Sequence, residues 1–307
     1  MKVCVTGASG YLGKNLTKEL LSRDINVLSI IRNKEKEYKE SSNCLISDLC
    51  NKEKLFKKLK EFFPDVVIHC AAFIPKDSDK KEQFLSLQNN VMATKNLLSI
   101  MGEIGLKHLI FTSTISIYTG DKIRKNTLPL NEMSNVDPQC FYGQDKLKAE
   151  KLCIDWSKKG INRKCDILRF SGIHGGGRKD GVIYNFIKKF LLEEKLFIPS
   201  PSSRYSILSI NDAVQSILLL LQREKFYKNE TFNIGGSEDM KLIEIAEKIK
   251  EITKSKSIIE TGDKLAEIRS MNISKAQQEI GFSPELFNTW IKKEILEIKK
   301  MKKNKSL

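Results

Sequence analysis

Tyr142 and Lys146 stand four residues apart in Phe141-Tyr142-Gly143-Gln144-Asp145-Lys146, heading a segment that stays apolar at Leu147, Ala149, Leu152 and Trp156. That spacing puts both side chains on one face of a helix. A phenol is far too weak an acid to exchange a proton with a carbinol oxygen unless its anion is stabilised, and an ammonium group one turn away is one means of doing so. Upstream, the apolar run His108-Leu109-Ile110-Phe111 opens into the hydroxyls of Thr112-Ser113-Thr114. Near the start, Val3-Cys4-Val5-Thr6 meets Gly7, Gly10 and Gly13, after which Leu12, Leu16 and Leu20 recur at helical spacing. A strand, a tight glycine turn and a helix in that order suit a dinucleotide. The first glycine permits the turn, the second lets backbone approach a pyrophosphate, and the third lets helix pack on strand, with the helix N-terminus offering free N–H groups. A Tyr/Lys helix face, hydroxyls ending the preceding strand and a dinucleotide turn upstream are an uncommon combination.

The elements that must hold these groups alternate. A second strand, Ile25 to Ile31, ends at Arg32-Asn33. An acid here would accept from the adenosine ribose, whereas an arginine accommodates a 2′-phosphate, so Arg32 favours NADP with NAD as the alternative. Asn43 to Ile46 is a third strand closed by Asp48-Leu49, a pair placed to touch adenine. Residues 51–62 form a helix with Leu55, Phe56, Leu59 and Phe62 on one face. The strand Val66-Val67-Ile68-His69 runs into Cys70-Ala71-Ala72, small enough for backbone to reach a cofactor, while His69 reads as a packed strand-end histidine. A long helix spans 79–104 and includes Asn89-Asn90-Val91; the loop 120–139 is polar, with Pro129 and Pro138. Alternation throughout implies an α/β fold with a doubly wound parallel sheet, its ligands at the C-terminal ends of the strands.

The 307 residues suffice for a main domain and a smaller lobe. The seven cysteines form no CxxC pair and share no metal-ligand spacing with the three histidines, so reduced thiols and no metal are expected. A net charge of +15 comes from lysines scattered beside acids, without an aromatic and basic cluster, which argues against nucleic acid and for a general attraction to anionic ligands. The longest aliphatic run, Ile217 to Leu221, is too short to span a bilayer, and a cytoplasmic protein is expected. The final segment, Trp290 to Met301, is apolar at 291, 295 and 298 with lysines opposite. Packing on its own lobe is the simpler expectation, and lying on a membrane surface the alternative.

Taken together the motifs resemble the extended short-chain dehydrogenase/reductase family, the NAD(P)-dependent nucleotide-sugar epimerases, dehydratases and reductases. The matches run from the glycine turn with Tyr11 and Leu12 through Asp48-Leu49, Cys70-Ala71-Ala72, Asn90-Val91, Thr112-Ser113-Thr114, Tyr118, Tyr142 and Lys146. Beyond these come Leu168-Arg169-Phe170, Ile210-Asn211-Asp212-Ala213, Phe232-Asn233-Ile234-Gly235-Gly236, and Ser274 through Pro284. The resemblance implies a Rossmann-type domain over 1–174 and a mainly substrate-binding α/β lobe over 175–307, with some segments returning to the sheet. It implies Tyr142 as acid/base, Lys146 and the oxidised nicotinamide as the charges that lower its pKa, and Thr114 as the hydroxyl that orients substrate. Asn90, Thr112 and Arg169 become cofactor contacts by the same resemblance. Ser116, Gly172, His174, Arg204 and, more weakly, Arg269 become substrate contacts, the arginines gripping a nucleotide diphosphate.

Departures narrow the reaction that the resemblance implies. The Asp-Glu pair of sugar dehydratases is replaced by Ile115-Ser116, and the Cys and His of enolate epimerases by Ser116 and Gly177. Gly172 stands where the family has an Asn, and His174 where it has an aromatic. Redox at one carbon remains: an NADPH-dependent 4-keto-sugar reductase serving surface polysaccharide synthesis, or a nucleotide-sugar 4-epimerase with tightly bound NAD. A non-catalytic NADP-binding sensor or scaffold is the alternative outside enzymes. A homodimer through helices 79–104 and 139–160 is expected.

Overall fold

The computed structural model describes residues 1–33, 43–76, 78–118, 129–223 and 229–303. Residues 120–128 of the polar loop expected over 120–139, and residues 304–307, lie outside them. The chain divides into two compact units, the first comprising Met1–Asp121, Asn135–Arg169 and Leu220–Phe232, the second Lys122–Ser134, Phe170–Leu219 and Asn233–Leu307.

The first unit begins with β1 (Lys2–Thr6), α1 (Tyr11–Ser22), β2 (Asn26–Ile31), β3 (Asn43–Ile46), α2 (Lys52–Phe62) and β4 (Val66–His69). There follow α3 (Lys80–Ser86), a π-helical turn over Leu87–Met92, α4 (Ala93–Glu103), β5 (His108–Thr114), α5 (Phe141–Lys158) and β6 (Lys164–Phe170). The sheet runs β6-β5-β4-β1-β2-β3, with a seventh strand, Glu230–Ile234, beside β6. The pairs from β5 to β3 are parallel. Covered on both faces, its strands read as continuous apolar runs, and Val3, Cys4 and Val5 are all fully buried. Leu28, Leu59, Val67, Leu97, Phe111 and Ile167 belong to the core that packs α2, α4 and α5 on the sheet.

The expected single helix over 79–104 is interrupted by the π turn. Asn89 Nδ2 donates to the Leu85 carbonyl at 2.7 Å and Thr94 Oγ1 to that of Asn90 at 2.7 Å. Each bond engages the i−4 carbonyl that the α-helical ladder would use, and such back-bonding competes with the ladder.

The second unit holds β7 (Ile173–His174), α6 (Gly181–Leu191), β8 (Leu196–Ile198), β9 (Arg204–Ser206) and β10 (Leu208–Ser209), with α7 (Ile210–Gln222) crossing back to the first. After β11, the seventh strand already named, come β12 (Asp239–Lys241), α8 (Leu242–Thr253), β13 (Ile259–Thr261), β14 (Ile268–Arg269), α9 (Ser274–Ile280) and α10 (Phe287–Lys303). Its core gathers Ile183, Ile187, Phe190, Ile245, Ile249, Trp290 and Ile291. The apolar stripe of α10 is spent there: Trp290, Ile291, Ile295 and Ile298 are at most 4% exposed, so packing accounts for the amphipathic C-terminal segment. Among the described residues, no helix is long and apolar enough to cross a membrane, and no group of His, Cys, Asp or Glu could hold a metal ion.

Candidate active site

The glycines of the first turn do distinct work. Gly7 has φ +67°, and a Cβ there would lie 2.6 Å from Ala71 Cα, so the turn is left-handed and pressed against the residues that follow β4. A Cβ at Gly13 would run into the Gly7 carbonyl oxygen, which fixes α1 close against β1. Gly10 is the N-cap of α1 and supplies no side-chain cap, and a helix start of this kind favours an anion. Around this helix end lies a pocket lined on one side by Gly7, Ser9, Gly10, Cys70, Ala71 and Ala72, and on the other by Arg32, Asp48, Leu49 and Asn89. Positive helix end, glycine cradle and the pocket beside them fit a dinucleotide.

Eight expected cofactor contacts therefore line one pocket: Gly7, Gly10, Arg32, Asp48, Leu49, Cys70, Ala71 and Ala72. Tyr11, Leu12 and Gly13 form the first turn of α1 beside it. Other candidates are engaged differently. Asn90, 2% exposed, clips the backbone of Phe73, accepting from its N–H at 2.8 Å and donating to its carbonyl at 2.7 Å. Thr112 donates to the His69 carbonyl at 3.0 Å. Ser9, Ser47, Asn89 and Ala93 also line the pocket, and the doubled Asn89-Asn90 is the sequence signal for an asparagine there.

His69 is the packed histidine its setting suggested. Nδ1 bonds Thr6 Oγ1 at 2.6 Å and Nε2 bonds Thr94 Oγ1 at 2.9 Å. Burial, with the Lys146 charge adding, drives its pKa down to about 3, so the ring is neutral.

The candidates for proton transfer lie on two elements that meet where β5 ends, the turn after Thr114 and the head of α5. Thr114 Oγ1 accepts from the Ser116 N–H at 3.2 Å and donates to Ser116 Oγ at 3.3 Å, capping the short turn Ile115–Ile117. Cys140 is the N-cap of α5, its Sγ accepting from the Gly143 N–H at 3.3 Å. A Cβ on Gly143 would sit 2.5 Å from the Ser116 carbonyl oxygen. A glycine after Tyr142 is thus what lets the head of α5 press against the turn after Thr114. One turn on, Lys146 is 1% exposed with Nζ 4.0 Å above the Phe111 ring, and burial brings its pKa down to about 8. The expected depression of the Tyr142 pKa is not produced by the chain itself: burial, with Cys140 beside it, pushes the phenol up to about 12.

Arg169 braces this region through Glu150 and Tyr118. Its guanidinium meets Glu150 through Nε to Oε1 at 3.2 Å and Nη2 to Oε2 at 2.8 Å, while Nη1 donates to Tyr118 Oη at 2.6 Å. Arg169 and Glu150 are 8% and 1% exposed. These bonds tie β6, α5 and the turn after β5 together.

In the second unit, a Cβ on Gly172 would lie 3.2 Å from His174 Nε2, so the missing side chain leaves room for this ring. His174 is 8% exposed, its Nδ1 has no partner among the described residues, and burial with the nearby Arg178 holds its pKa down at about 4. Arg204 pairs with Asp239 at 3.0 Å and Arg269 with Glu267 at 3.1 Å. The two arginines lie on neighbouring parallel strands, but Arg204 is paired with Ile268 and Tyr205 with Arg269. Adjacent residues of a strand face opposite ways, so the arginines point from opposite faces of the ribbon.

The profile of the NAD dependent epimerase/dehydratase family matches residues 3–235. The chain belongs to that family. It is 29% identical over 303 residues to an uncharacterized UDP-glucose epimerase of Bacillus subtilis, covering 92% of this chain and 93% of the relative. To a dTDP-4-dehydro-6-deoxyglucose reductase of Escherichia coli it is 28% identical over 298 residues, 92% of each chain. The crystal structure of a UDP-glucuronic acid 4-epimerase from Bacillus cereus, in complex with UDP-glucuronic acid and NAD, superposes with a TM-score of 0.84 at 26% identity, over 98% of this chain and 100% of that one. The protein is accordingly an enzyme of the extended short-chain dehydrogenase/reductase type, in the NAD(P)-dependent group of nucleotide-sugar epimerases, dehydratases and reductases.

Proposed function

We propose that this family member is an NADPH-dependent 4-keto reductase of a nucleotide-activated sugar, working in the cytoplasm to supply surface polysaccharide synthesis. The observation that carries the reading is Arg32: the residue directly after β2 is a cation, and it lines the dinucleotide pocket. A guanidinium there suits the 2′-phosphate that distinguishes NADPH, the dinucleotide drawn on for net reduction. The bound nicotinamide would supply the hydride.

The chain's own residues handle the oxygen. Thr114 Oγ1 would donate to the substrate carbonyl, releasing its bond to Ser116. The Tyr142 phenol, held at about 12, is protonated at neutral pH, the form needed to give its proton to the oxygen as that oxygen gains charge. Lys146 then stabilises the phenolate left behind. In the second unit Arg204, Arg269, His174 and Gly172 are the candidates for holding the nucleotide and sugar, with Ser116 beside Thr114. A homodimer through the helical segments 79–104 and 139–160 completes the proposal, for which sedimentation at twice the chain mass is expected.

A nucleotide-sugar 4-epimerase with retained NAD is the second reading, supported by the likeness to the Bacillus cereus epimerase. Titration of the purified protein with NADPH and NADH, followed by assay of NADPH oxidation by 4-keto sugar nucleotides, separates the two. Preference for NADPH and stoichiometric oxidation support the reductase. Copurifying NAD, with UDP-sugars epimerised at C4 and no net oxidation, refutes it. Tyr142→Phe should lower kcat by about 10²–10⁴-fold while leaving NADPH binding intact; full turnover in that variant would remove Tyr142 from the mechanism.

A further inference from the structure

We propose that Asn89, presented by the π-helical turn Leu87–Met92, is a positioning residue for Arg32 and sets the preference for a 2′-phosphorylated dinucleotide. The inference rests on the cofactor reading above and assigns a second residue to it. Arg32 Nη1 donates to Asn89 Oδ1 at 3.0 Å, and both residues line the dinucleotide pocket.

The amide is oriented as well as near. Asn89 Nδ2 donates to the Leu85 carbonyl at 2.7 Å. Turned the other way, the amide would set an oxygen against that carbonyl and an N–H₂ against the guanidinium, losing both bonds. The backbone fixes where the amide stands. Asn90 is locked into the interior by its two bonds to Phe73. Successive residues of an α-helix are about 100° apart, and an i→i+5 turn inserts one more residue than the α-helical count. The inserted turn thus places one asparagine in the core and its predecessor at the pocket.

The chemistry of the partner matters too. Asn89 is a neutral acceptor, so it restrains the guanidinium without cancelling its charge. It takes one of the five N–H donors that an arginine carries. A carboxylate at the same position would hold Arg32 equally well while neutralising what the phosphate must meet. Restraining a flexible side chain before binding lowers the ordering cost that the ligand otherwise bears.

The test is equilibrium titration of the full chain with NADPH and NADH, for wild type, Asn89→Ala, Asn89→Asp, Arg32→Ala and the double variant Arg32→Ala/Asn89→Ala. Asn89→Ala should weaken NADPH about 5–10-fold and NADH less than about 2-fold, and Asn89→Asp should weaken NADPH further, because the guanidinium is then paired with a charge. In the Arg32→Ala background, Asn89→Ala should change nothing more, since the two act as one unit. Retained NADH binding shows that the pocket has survived each substitution. Equal losses for both dinucleotides, or losses that add to those of Arg32→Ala, would overturn the role of Asn89 and leave it a helix-shaping residue. A wild-type preference for NADH overturns the cofactor reading and this inference together; a wild-type preference for NADPH that Asn89→Ala leaves untouched overturns this inference alone.

Discussion

The dinucleotide pocket of the first unit and the candidate substrate residues of the second are built on different principles. In the first, main chain does most of the shaping: a left-handed Gly7, an uncapped helix start at Gly10, and small residues after β4. In the second, the candidates are long or ring-bearing side chains. Arg204 and Arg269 already hold acids, and His174 has a ring nitrogen without a partner among the described residues. Backbone shape restricts which residue types can stand at a position, whereas a side-chain grip can be moved to a neighbouring strand or exchanged for another cation. The first site therefore restricts residue type at more of its positions than the second does.

The sharpest way to break the comparison is to remove the Arg169 brace of the first unit. Arg169→Ala leaves the Glu150 carboxylate buried without its partner and should cost about 3–5 kcal/mol. The two tryptophans divide the readout, Trp156 reporting the first unit and Trp290 the second. Denaturant unfolding followed in Trp290→Phe and Trp156→Phe backgrounds should show the loss at Trp156. An equal loss at Trp290 would mean that the two units unfold as one block. Replacing both partners, Arg169→Met with Glu150→Leu, should recover much of the stability, because it removes the unpaired charge as well as the bond.

A smaller effect should appear in both units at once. His69 and His174 are neutral when folded, with pKa values of about 3 and about 4. In the unfolded chain each reverts to about 6.5. Between those values the unfolded state binds the extra proton, so stability is full above pH ~6.5 and falls as pH drops, until the folded pKa is reached. At pH 5 each histidine should have cost about 2 kcal/mol, at about 1.4 kcal/mol per pH unit. Unfolding free energies measured at pH 7 and pH 5 with the two tryptophan probes test this unit by unit. A probe that shows no change identifies a histidine that is protonated, or reached by solvent, in the folded protein.

What could be seen from sequence follows the same division. The order of strands and helices, the glycine turn and the Tyr142/Lys146 face were legible because each depends on local spacing. The employment of Asn90 and Arg169 was not, because it depends on what lies across the fold. Asn90 meets Phe73 from 17 residues away, and Arg169 meets Tyr118 from 51. The π turn was hidden for a related reason: the apolar rhythm over 79–104 is helical either way, and it does not show the side-chain bonds of Asn89 and Thr94 that accompany the turn. The pKa of Tyr142 followed burial and Cys140, which the spacing of Tyr142 and Lys146 alone does not disclose.

The mildest perturbation bears on the second unit. Arg204 and Asp239 form an exposed pair, 40% and 29% accessible, on the neighbouring antiparallel strands β9 and β12. Exposed pairs contribute about 0–1 kcal/mol, so Arg204→Ala should scarcely alter unfolding. If the guanidinium leaves Asp239 to hold a nucleotide diphosphate, the same variant should raise KM for the sugar nucleotide by about 10-fold, the worth of a charge-assisted hydrogen bond, while the Kd for NADPH stays constant. Arg269→Ala, altering the opposite face of the ribbon, should leave that KM within about 2-fold of wild type, as expected of a rim pair. Because the two arginines face apart, these outcomes exclude each other in a useful way. A KM effect confined to Arg269→Ala would move the phosphate grip to the other face of the ribbon, and an effect of both would require the strand β14 to turn its arginine toward Arg204 when substrate binds.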